Sequence, residues 1–221
     1  MSGNLQNNNK SYKAILIGSS AIGKTSLCNN IQKKDFNTDI PITIGVDFIT
    51  LELTDYDEFK QFQNTYNIQL WDTAGHEKFS AITKSYYRNS HIVLLCFDLT
   101  NRLSFIKLNK WIEDIKAIIE TPHCIYLMGL KSDLKPVISD NEISDFLNKY
   151  LITSFHRFSS KEVKNANNIK NILINAIKTY ESLIEEIEYI KALELSTSKL
   201  KLDNEISNIT ITEVTDKKCC Y

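Results

Sequence analysis

Eight consecutive residues have the types and spacing needed to hold a chain of phosphates. Gly18-Ser19-Ser20-Ala21-Ile22-Gly23-Lys24-Thr25 matches the pattern G-x-x-x-x-G-K-[ST] and lies directly between an apolar run and a candidate helix. Backbone N–H groups of such a loop turn towards a phosphate, and the helix adds the positive end of its dipole. We expect Lys24 to contact the β- and γ-phosphates and the Thr25 hydroxyl to coordinate Mg²⁺. A strand-to-helix turn with a coincidental lysine is the alternative, which the motifs further along the chain disfavour.

A second motif, Asp72-Thr73-Ala74-Gly75, follows an apolar run that has the length of a strand. We expect Asp72 to hold Mg²⁺ through a water molecule and the Gly75 N–H to reach a γ-phosphate. The phosphate loop alone indicates a nucleoside triphosphate without naming its base or a reaction. Together the two motifs predict a site for a triphosphate and its metal ion.

The elements that must position these loops follow from the hydrophobic pattern. From Tyr12 onwards, short apolar runs alternate with longer amphipathic stretches, which predicts an α/β domain with a mainly parallel sheet. The predicted strands are 13–18, 47–53, 66–71, 91–99, 124–130 and 154–158. Residues 92–97 and 125–128 are apolar throughout, as in central strands covered on both faces. The second and third strands are too close for a crossover helix, so we expect an antiparallel hairpin with a long polar connection, 54–65.

Helices are predicted at 24–32, 79–88, 103–121 and 140–150, and a last helix begins near Asn167. In this last helix, apolar residues recur in alternating steps of four and three, so one face stays apolar for about six turns. Two interpretations are open. Either the helix packs on the sheet and frays beyond Tyr180, or the stripe 183–190 meets a partner helix. The polar segment 196–218 is predicted to be a flexible tether.

The composition is that of one soluble globular domain, with 221 residues, 43% hydrophobic and 24% charged. A net charge of −1 argues against nucleic-acid binding, which requires clustered Lys and Arg. The sequence has neither an apolar run of the roughly 20 residues that span a membrane nor a signal peptide. We therefore expect a cytosolic chain with a disordered Asn-rich arm, 1–11, a nucleotide-binding domain, 12–180, and a helical extension with a variable tail, 181–221.

The motifs and their order resemble the Rab family of small GTPases. Five stretches carry the resemblance: TIGVDF (43–48), NIQLWDTAG (67–75), KFSAIT (78–83), YYRNS (86–90) and LCFDLT (95–100). The resemblance covers residues 12–180 and implies a P-loop NTPase small G domain, α/β in class, with a six-stranded, mostly parallel sheet flanked by helices. It also implies that the domain binds GTP or GDP with Mg²⁺.

The resemblance assigns roles to residues outside the phosphate loop. Thr43 would give Mg²⁺ a second hydroxyl and the γ-phosphate a backbone N–H, so its loop is ordered only while that phosphate is present. Phe36 falls where the family places an aromatic ring against guanine. Phe48, Trp71 and Tyr86 correspond to the surface that displays the nucleotide state to partners, although a core role is commoner for each ring alone.

The guanine-reading motif departs from the family pattern Asn-Lys-x-Asp, because the chain has Leu130-Lys131-Ser132-Asp133. Asp133 can still accept hydrogen bonds from guanine N1–H and the 2-amino group, and the Lys131 stem can lie along the base. Ser159-Ser160-Lys161 resembles the family's Ser-Ala-Lys loop, in which the middle backbone N–H meets the guanine oxygen. We expect base choice to survive, and the loss of the Asn to weaken nucleotide binding roughly tenfold to hundredfold.

His76 occupies the position where the family usually has the Gln that orients the attacking water. Phosphoryl transfer depends mostly on positioning, so we expect slow intrinsic hydrolysis, with His76, Lys24 and Thr43 as the catalytic set. Neutral imidazole also has one donor and one acceptor, but its reach and plane differ from those of an amide. Ala21 replaces a frequent glycine of the phosphate loop, which predicts minor strain if φ is positive there.

The chain ends in Lys217-Lys218-Cys219-Cys220-Tyr221, which resembles the Rab pattern for attachment of two geranylgeranyl groups at Cys219 and Cys220. Two lipids are sufficient for stable anchoring, whereas one gives only marginal membrane binding. Two exposed thiols without a role are the alternative. Because only two lysines lie near the anchor, we expect targeting to come from protein partners. The other cysteines lie in apolar or helical contexts, so no disulfide framework is expected.

The predicted nucleotide-binding set combines these segments. It consists of Gly18, Ser19, Ser20, Ala21, Ile22, Gly23, Lys24, Thr25, Ser26, Phe36, Thr43, Asp72, Gly75, Lys131, Asp133, Ser159, Ser160 and Lys161, with Thr25, Thr43 and Asp72 as metal ligands. The resemblance implies a GTP/GDP switch in vesicle-mediated membrane traffic, located in the cytosol and on the cytoplasmic face of an endomembrane. Its implied partners are effectors, an exchange factor, a GTPase-activating protein and a prenylation escort. A non-hydrolysing GTP-binding adaptor of the same fold is the alternative, whereas Asp133 disfavours an ATP-dependent enzyme.

Overall fold

One mixed sheet organises the molecule. The computed structural model describes residues 10–57, 62–75, 84–162 and 165–216. The strands are β1 Ser11–Ile17, β2 Val46–Asp57, β3 Phe62–Thr73, β4 Ile92–Asp98, β5 Cys124–Leu130 and β6 Ser154–Phe158. They form a six-stranded sheet in the order β2-β3-β1-β4-β5-β6. Only β2 and β3 are antiparallel among these described pairs. The predicted α/β class, the mostly parallel sheet and the antiparallel hairpin are confirmed.

Helices cover both faces of this sheet. They are α1 Lys24–Ile31, α2 Arg102–Ile106, α3 Leu108–Ile118, α4 Asp140–Tyr150 and α5 Asn165–Asp216. Alternate residues of β1 enter different apolar clusters: Leu16 packs with side chains of α1 and α5, while Ile15 and Ile17 pack with side chains of α3 and α4. Every residue of β4 is buried. The buried central strands therefore hold the loops after β1, β4 and β5 at the same edge of the sheet, where the strands have their carboxyl ends.

The β2–β3 hairpin is longer than we predicted. Thr54 pairs with Thr65 and Asp55 with Asn64, and the ladder continues to the pair Asp57 and Phe62. The prediction of a long connection over 54–65 was therefore wrong, because an antiparallel ladder can continue through polar residues when one face is solvated. The connection itself, 58–61, lies outside the described residues.

The helix predicted at 103–121 also differs from the structure. It is divided at Lys107 into α2 and α3, and it ends at Ile118, after which Ile119 is extended. Pro122 disfavours helical backbone at the preceding residue, which explains why the helix does not reach Thr121. Of the helix predicted at 79–88, residues up to 83 lie outside the described part, and 84–85 are helical. Residues 86–88 form a turn, so the predicted end of this helix was wrong.

Two compact units divide the chain, 1–180 and 181–221. In the first unit, α5 contributes Ile169, Leu173 and Ile177 to the core beside α1. In the second unit, α5 continues as a helix as far as Asp216. Of the two interpretations left open for this helix, fraying beyond Tyr180 is therefore contradicted, and the prediction of a flexible tether from 196 was wrong as far as Asp216. Good helix formers such as Glu, Leu and Lys dominate the stretch just after Tyr180, which favours this continuation. No helix in the described residues is long and apolar enough to cross a membrane.

The N-terminal boundary is close to the predicted one. Residues 1–9 of the predicted arm lie outside the described part of the chain. Ser11 already pairs with Asn67, so the sheet begins one residue before Tyr12.

Candidate nucleotide-binding site

The loop between β1 and α1 has the backbone of a tight phosphate-binding turn. Gly23 has φ 110 and serves as the residue before the first turn of α1. A Cβ on Gly18 would lie 2.2 Å from the Cys96 carbonyl oxygen, so only glycine fits there. Ala21 has φ 60, which confirms that this alanine occupies a left-handed position where glycine is favoured. The loop is therefore shaped by two glycines and one strained alanine.

Lys24 is buried and points along this loop. Its Nζ donates to the carbonyl oxygens of Gly18, at 2.9 Å, and Ser19, at 2.8 Å. Burial lowers the pKa of Lys24, and the charge of Asp72 opposes that shift. The ammonium group of Lys24 has three donors, and among the described residues it makes only these two hydrogen bonds. The third donor is available for the phosphate contact that the motif predicts, and that contact stays a prediction.

The three predicted metal ligands lie together. The Thr25 and Thr43 Oγ1 atoms are 2.8 Å apart, and Thr25 Oγ1 donates to Asp72 Oδ2 at 2.5 Å. Burial raises the pKa of Asp72, while the hydrogen bond from Thr25 and the charge of Lys24 oppose that shift. Asp72 Oδ1 is buried and has no hydrogen-bond partner among the described residues. An unpaired carboxylate oxygen beside two hydroxyls fits a hard cation that prefers oxygen ligands.

This donor set suits Mg²⁺ bound together with phosphates. The described residues contain no group of three or more His, Cys, Asp or Glu side chains that could hold a metal ion. Thr25, Thr43 and Asp72 supply only one carboxylate, and Mg²⁺ typically takes one or two carboxylates and completes its shell with water and substrate phosphates. The residues present therefore fit a magnesium ion shared with a nucleotide.

Two segments approach the phosphate loop from the side of β2 and β3. The Ala74 N–H donates to the Gly45 carbonyl at 2.9 Å, which joins the loop containing Thr43 to the end of β3. A Cβ on Gly75 would lie 2.4 Å from the Ser19 backbone. This close approach requires glycine at position 75 and places its backbone beside the phosphate loop, so the predicted contact of its N–H with a γ-phosphate is geometrically feasible.

A cavity of about 280 Å³ lies between the phosphate loop and the segments that follow β5 and β6. It is lined by Ala21, Ile22, Gly23, Ser26, Phe36, Asn37, Thr38, Leu130, Lys131, Asp133, Leu134, Ser159, Ser160 and Lys161. Phe36 is 44% exposed, and the Lys161 Nζ lies 5.6 Å from the centroid of its ring. The structure thus brings together every residue that we predicted to surround the base.

Asp133 is held firmly in this cavity. Ser159 Oγ donates to Asp133 Oδ1 at 2.7 Å, and Lys161 Nζ lies 3.2 Å from Oδ2. Desolvation would raise the pKa of Asp133, but the hydrogen bonds from Ser159 and Lys161 outweigh it and hold the pKa below its ordinary value. An ionised carboxylate only accepts hydrogen bonds. It suits a base edge that offers two donors, as guanine does.

Leu130 and Lys131, at the position of the missing asparagine and beside it, both contact the phosphate loop. Leu130 is buried in the core, and its Cδ1 would lie 3.8 Å from a Cβ on Gly23, so it packs beneath the phosphate loop. Lys131 Nζ donates to the Ala21 carbonyl at 3.3 Å and pairs with Asp98 Oδ2 at 2.6 Å. The link from Lys131 to the phosphate loop is a contact that sequence reasoning missed.

Three aromatic rings form a row beside the hairpin. Phe48 stacks on Trp71 with centroids 5.2 Å apart, and Trp71 lies 5.7 Å from Tyr86. Lys13 Nζ lies 4.7 Å from the Trp71 ring and donates to the Tyr86 carbonyl at 2.6 Å. Phe48 is 51% exposed. The rings predicted to form one surface are therefore neighbours.

Three predicted functional residues lie outside the part of the chain that the structure describes, and one residue that contacts the base loop was not predicted from the sequence. His76, Cys219 and Cys220 lie outside the described residues. Asn30, which no motif includes, donates from Nδ2 to the Ser160 carbonyl at 3.0 Å. A lone polar residue in a short helix carries no distinguishing pattern, so only the structure could find it.

The sheet order, the phosphate loop after β1 and the base cavity beyond β5 define a P-loop fold of the small G-protein type. The Ras family model matches residues 13–182. Ras-related protein RABA6b of Arabidopsis thaliana is 33% identical over 198 residues, which cover 89% of this chain and 77% of that protein. GTP-binding protein ypt4 of Schizosaccharomyces pombe is 32% identical, over 78% and 73% of the two chains. Ras-related protein Rab-7L1 of Homo sapiens is 31% identical, over 85% and 95%.

The chain therefore belongs to the Rab family of small GTPases, within the Ras family. This confirms the resemblance that the five sequence stretches indicated. Members of this family in general bind GTP or GDP with Mg²⁺ and hydrolyse GTP.

Proposed function

We propose that this chain is a GTP/GDP switch in vesicle-mediated membrane traffic, with residues 12–180 as its nucleotide-binding domain. The observation that carries the proposal is the contact of Thr43 with Thr25, 2.8 Å between hydroxyls. Thr43 belongs to the loop before β2, whereas Thr25 opens α1. A loop that meets the other metal ligands through the Thr43 hydroxyl can be released when a γ-phosphate is lost.

The residues divide the work of binding and reaction. Lys24 and the loop backbone hold the phosphates, while Asp133 and the backbone of Ser160 recognise guanine. Mg²⁺ held by Thr25, Thr43 and Asp72 would neutralise charge that develops on the phosphates. Gly75 and Thr43 then present backbone N–H groups to the γ-phosphate.

Full-length protein purified from eukaryotic cells tests this function. Its bound nucleotide should be GDP or GTP, and GTP turnover should require Mg²⁺. Two results would contradict the proposal: a bound adenine nucleotide, or binding of guanine nucleotide that does not depend on Mg²⁺.

Hydrolysis is proposed to be slow, because His76 replaces the glutamine amide that usually orients water. A single-turnover assay of the natural chain against His76→Gln should give the faster rate for the variant. Equal rates would refute a role for His76 in slowing the step. GTP that never turns over, even with a range of activating proteins, would favour the non-hydrolysing adaptor instead.

Membrane attachment is proposed to use geranylgeranyl groups on Cys219 and Cys220, placing the switch on the cytoplasmic face of an endomembrane. Effectors, an exchange factor, a GTPase-activating protein and a prenylation escort are the partners that such a cycle needs. Mass spectrometry of the protein from eukaryotic cells should show two prenyl groups, and Cys219→Ser with Cys220→Ser should move it from membranes to cytosol. An unmodified C-terminus on membrane-bound protein would contradict this attachment.

A further inference from the structure

Asn30 joins the helix that begins at the phosphates to the loop that recognises the base. It lies in the last turn of α1, about 9 Å along the axis from Lys24 at 1.5 Å per residue. Its side chain is buried, 7% exposed. Nδ2 donates to the Ser160 carbonyl at 3.0 Å, and the Glu162 carbonyl lies 3.5 Å away. One rigid helix therefore holds phosphate ligands at its start and the base loop at its end.

The orientation of the Asn30 amide is determined by its neighbours. If the amide were reversed, its oxygen would face the carbonyl oxygens of Ser160 and Glu162, with no donor between them. In the observed orientation, Asn30 Oδ1 is buried without a hydrogen-bond partner among the described residues. A buried unsatisfied amide oxygen is unfavourable for folding. An apolar side chain would avoid that penalty, so the amide is better explained by what its Nδ2 does.

The loop that Asn30 holds is the one that holds Asp133. Ser159 and Lys161 flank Ser160, and both bond to the Asp133 carboxylate. Leu130 stands where the family has an asparagine, and its side chain has no amide with which to bond the phosphate loop. The position of the Asp133 carboxylate relative to the phosphates therefore depends on links such as that from Asn30.

We propose that Asn30 is a positioning residue for guanine recognition, which sets both the base preference and the nucleotide dissociation rate of this chain. The inference rests on the proposed guanine-nucleotide binding. Loss of the Nδ2 donor would let the Ser159–Lys161 loop shift, and Asp133 would lose its alignment with the guanine 2-amino group. The phosphate and metal ligands at the start of α1 would keep their places.

The test uses the full chain and two variants, Asn30→Ala and Asn30→Asp. Asn29→Ala and Asn29→Asp are matched controls, because Asn29 is the adjacent residue on the same helix and undergoes the same changes of shape and charge. The dissociation rate of fluorescent GDP is measured with Mg²⁺. Competition by GDP, IDP and ADP is then compared. Inosine lacks the 2-amino group whose hydrogen bond Asp133 would accept, and ADP tests the choice of guanine itself.

We expect Asn30→Ala to release GDP about threefold to tenfold faster, as the loss of one hydrogen bond implies. Asn30→Asp should release it faster still, because a carboxylate would face two carbonyls. The preference for GDP over IDP should fall in both variants, whereas the Asn29 variants should stay within about twofold of the natural chain. A merely structural role would weaken GDP and IDP binding equally.

The outcomes separate this inference from the function on which it rests. If the natural chain does not prefer GDP to ADP, the proposed function fails and the inference with it. If the natural chain prefers GDP but Asn30→Ala leaves the GDP-to-IDP ratio unchanged, only the inference fails. If neither Asn30 variant folds by circular dichroism, Asn30 is a structural residue and the inference also fails.

Discussion

The Thr25 hydroxyl lies 2.8 Å from the Thr43 hydroxyl and 2.5 Å from Asp72 Oδ2. The first turn of α1, the loop before β2 and the end of β3 thus converge on one point. Asp72 and Thr25 lie on elements that the central sheet fixes, whereas Thr43 lies on a loop. The contact is therefore where a change of nucleotide can be converted into a change of protein surface.

Thr43→Ala should weaken binding of a non-hydrolysable GTP analogue with Mg²⁺ by at least about tenfold, as expected when a metal site loses a partner. GDP affinity should change much less, because Thr43 is assigned to the γ-phosphate and its metal ion. Competition against fluorescent GDP measures both. Thr50→Ala, which removes an exposed threonine of β2, is the control. Equal losses for the two nucleotides would show that Thr43 does not sense the γ-phosphate.

Ala21→Gly should stabilise the protein. A left-handed backbone costs an L-residue roughly 1–2 kcal/mol, and the extra chain entropy of glycine offsets about 0.5–1 kcal/mol of the gain. We expect the free energy of unfolding in urea to rise by about 0.5–1 kcal/mol. Ala14→Gly in β1, where the alanine is fully buried, should lower it. A loss of stability in both variants would mean that φ 60 at Ala21 is not strained.

Leu130→Asn should have opposite effects on binding and on stability. The new amide can bond to the phosphate loop and the base, so GDP affinity should rise roughly tenfold to hundredfold. Leu130 is 2% exposed, so its replacement should lower the unfolding free energy of nucleotide-free protein by about 1.5–3 kcal/mol. Leu130→Ala lowers stability without adding the amide and is the control. Unchanged GDP affinity in Leu130→Asn would show that the absence of an asparagine at position 130 does not weaken nucleotide binding.

Stability should fall as the pH is lowered below about 6.5, the ordinary pKa of histidine. Burial lowers the pKa of His91, and the charge of Lys13 adds to this. Its Nδ1 accepts the Lys13 backbone N–H at 2.8 Å, which requires a neutral ring. Since the folded pKa is below the unfolded one, the unfolded state takes up the proton first on acidification, and the full stability is present only at higher pH.

Urea unfolding between pH 8 and pH 5 measures this effect. His91→Gln should reduce the slope, and His156→Gln should reduce it further, because burial also lowers the pKa of His156. His123→Gln is the control, because the His123 ring makes only an exposed contact with the nearby Thr121 carbonyl among the described hydrogen bonds. A slope that His91→Gln leaves unchanged would contradict the assignment.

Features that depend on local sequence patterns were predicted well, whereas contacts between distant segments were not predicted. The bounds of β5 and β6 matched the prediction, because apolar runs between polar turns mark strands clearly. The full length of β2 and β3 was missed, since polar residues of a hairpin lack a hydrophobic pattern. The phosphate loop and Asp133 followed from motifs. Asn30 and the bond from Lys131 to Ala21 had no sequence signal, because each depends on which loops meet in space.

The central claim is that this Rab-family chain binds guanine nucleotides through Asp133 and its loop. It is tested most directly by equilibrium competition of GTP against ATP for fluorescent GDP on the full chain with Mg²⁺. A site that hydrogen-bonds two guanine donors should prefer GTP by at least about a hundredfold, because adenine does not offer this pair of donors to the Asp133 carboxylate. Equal displacement by ATP and GTP would contradict the account.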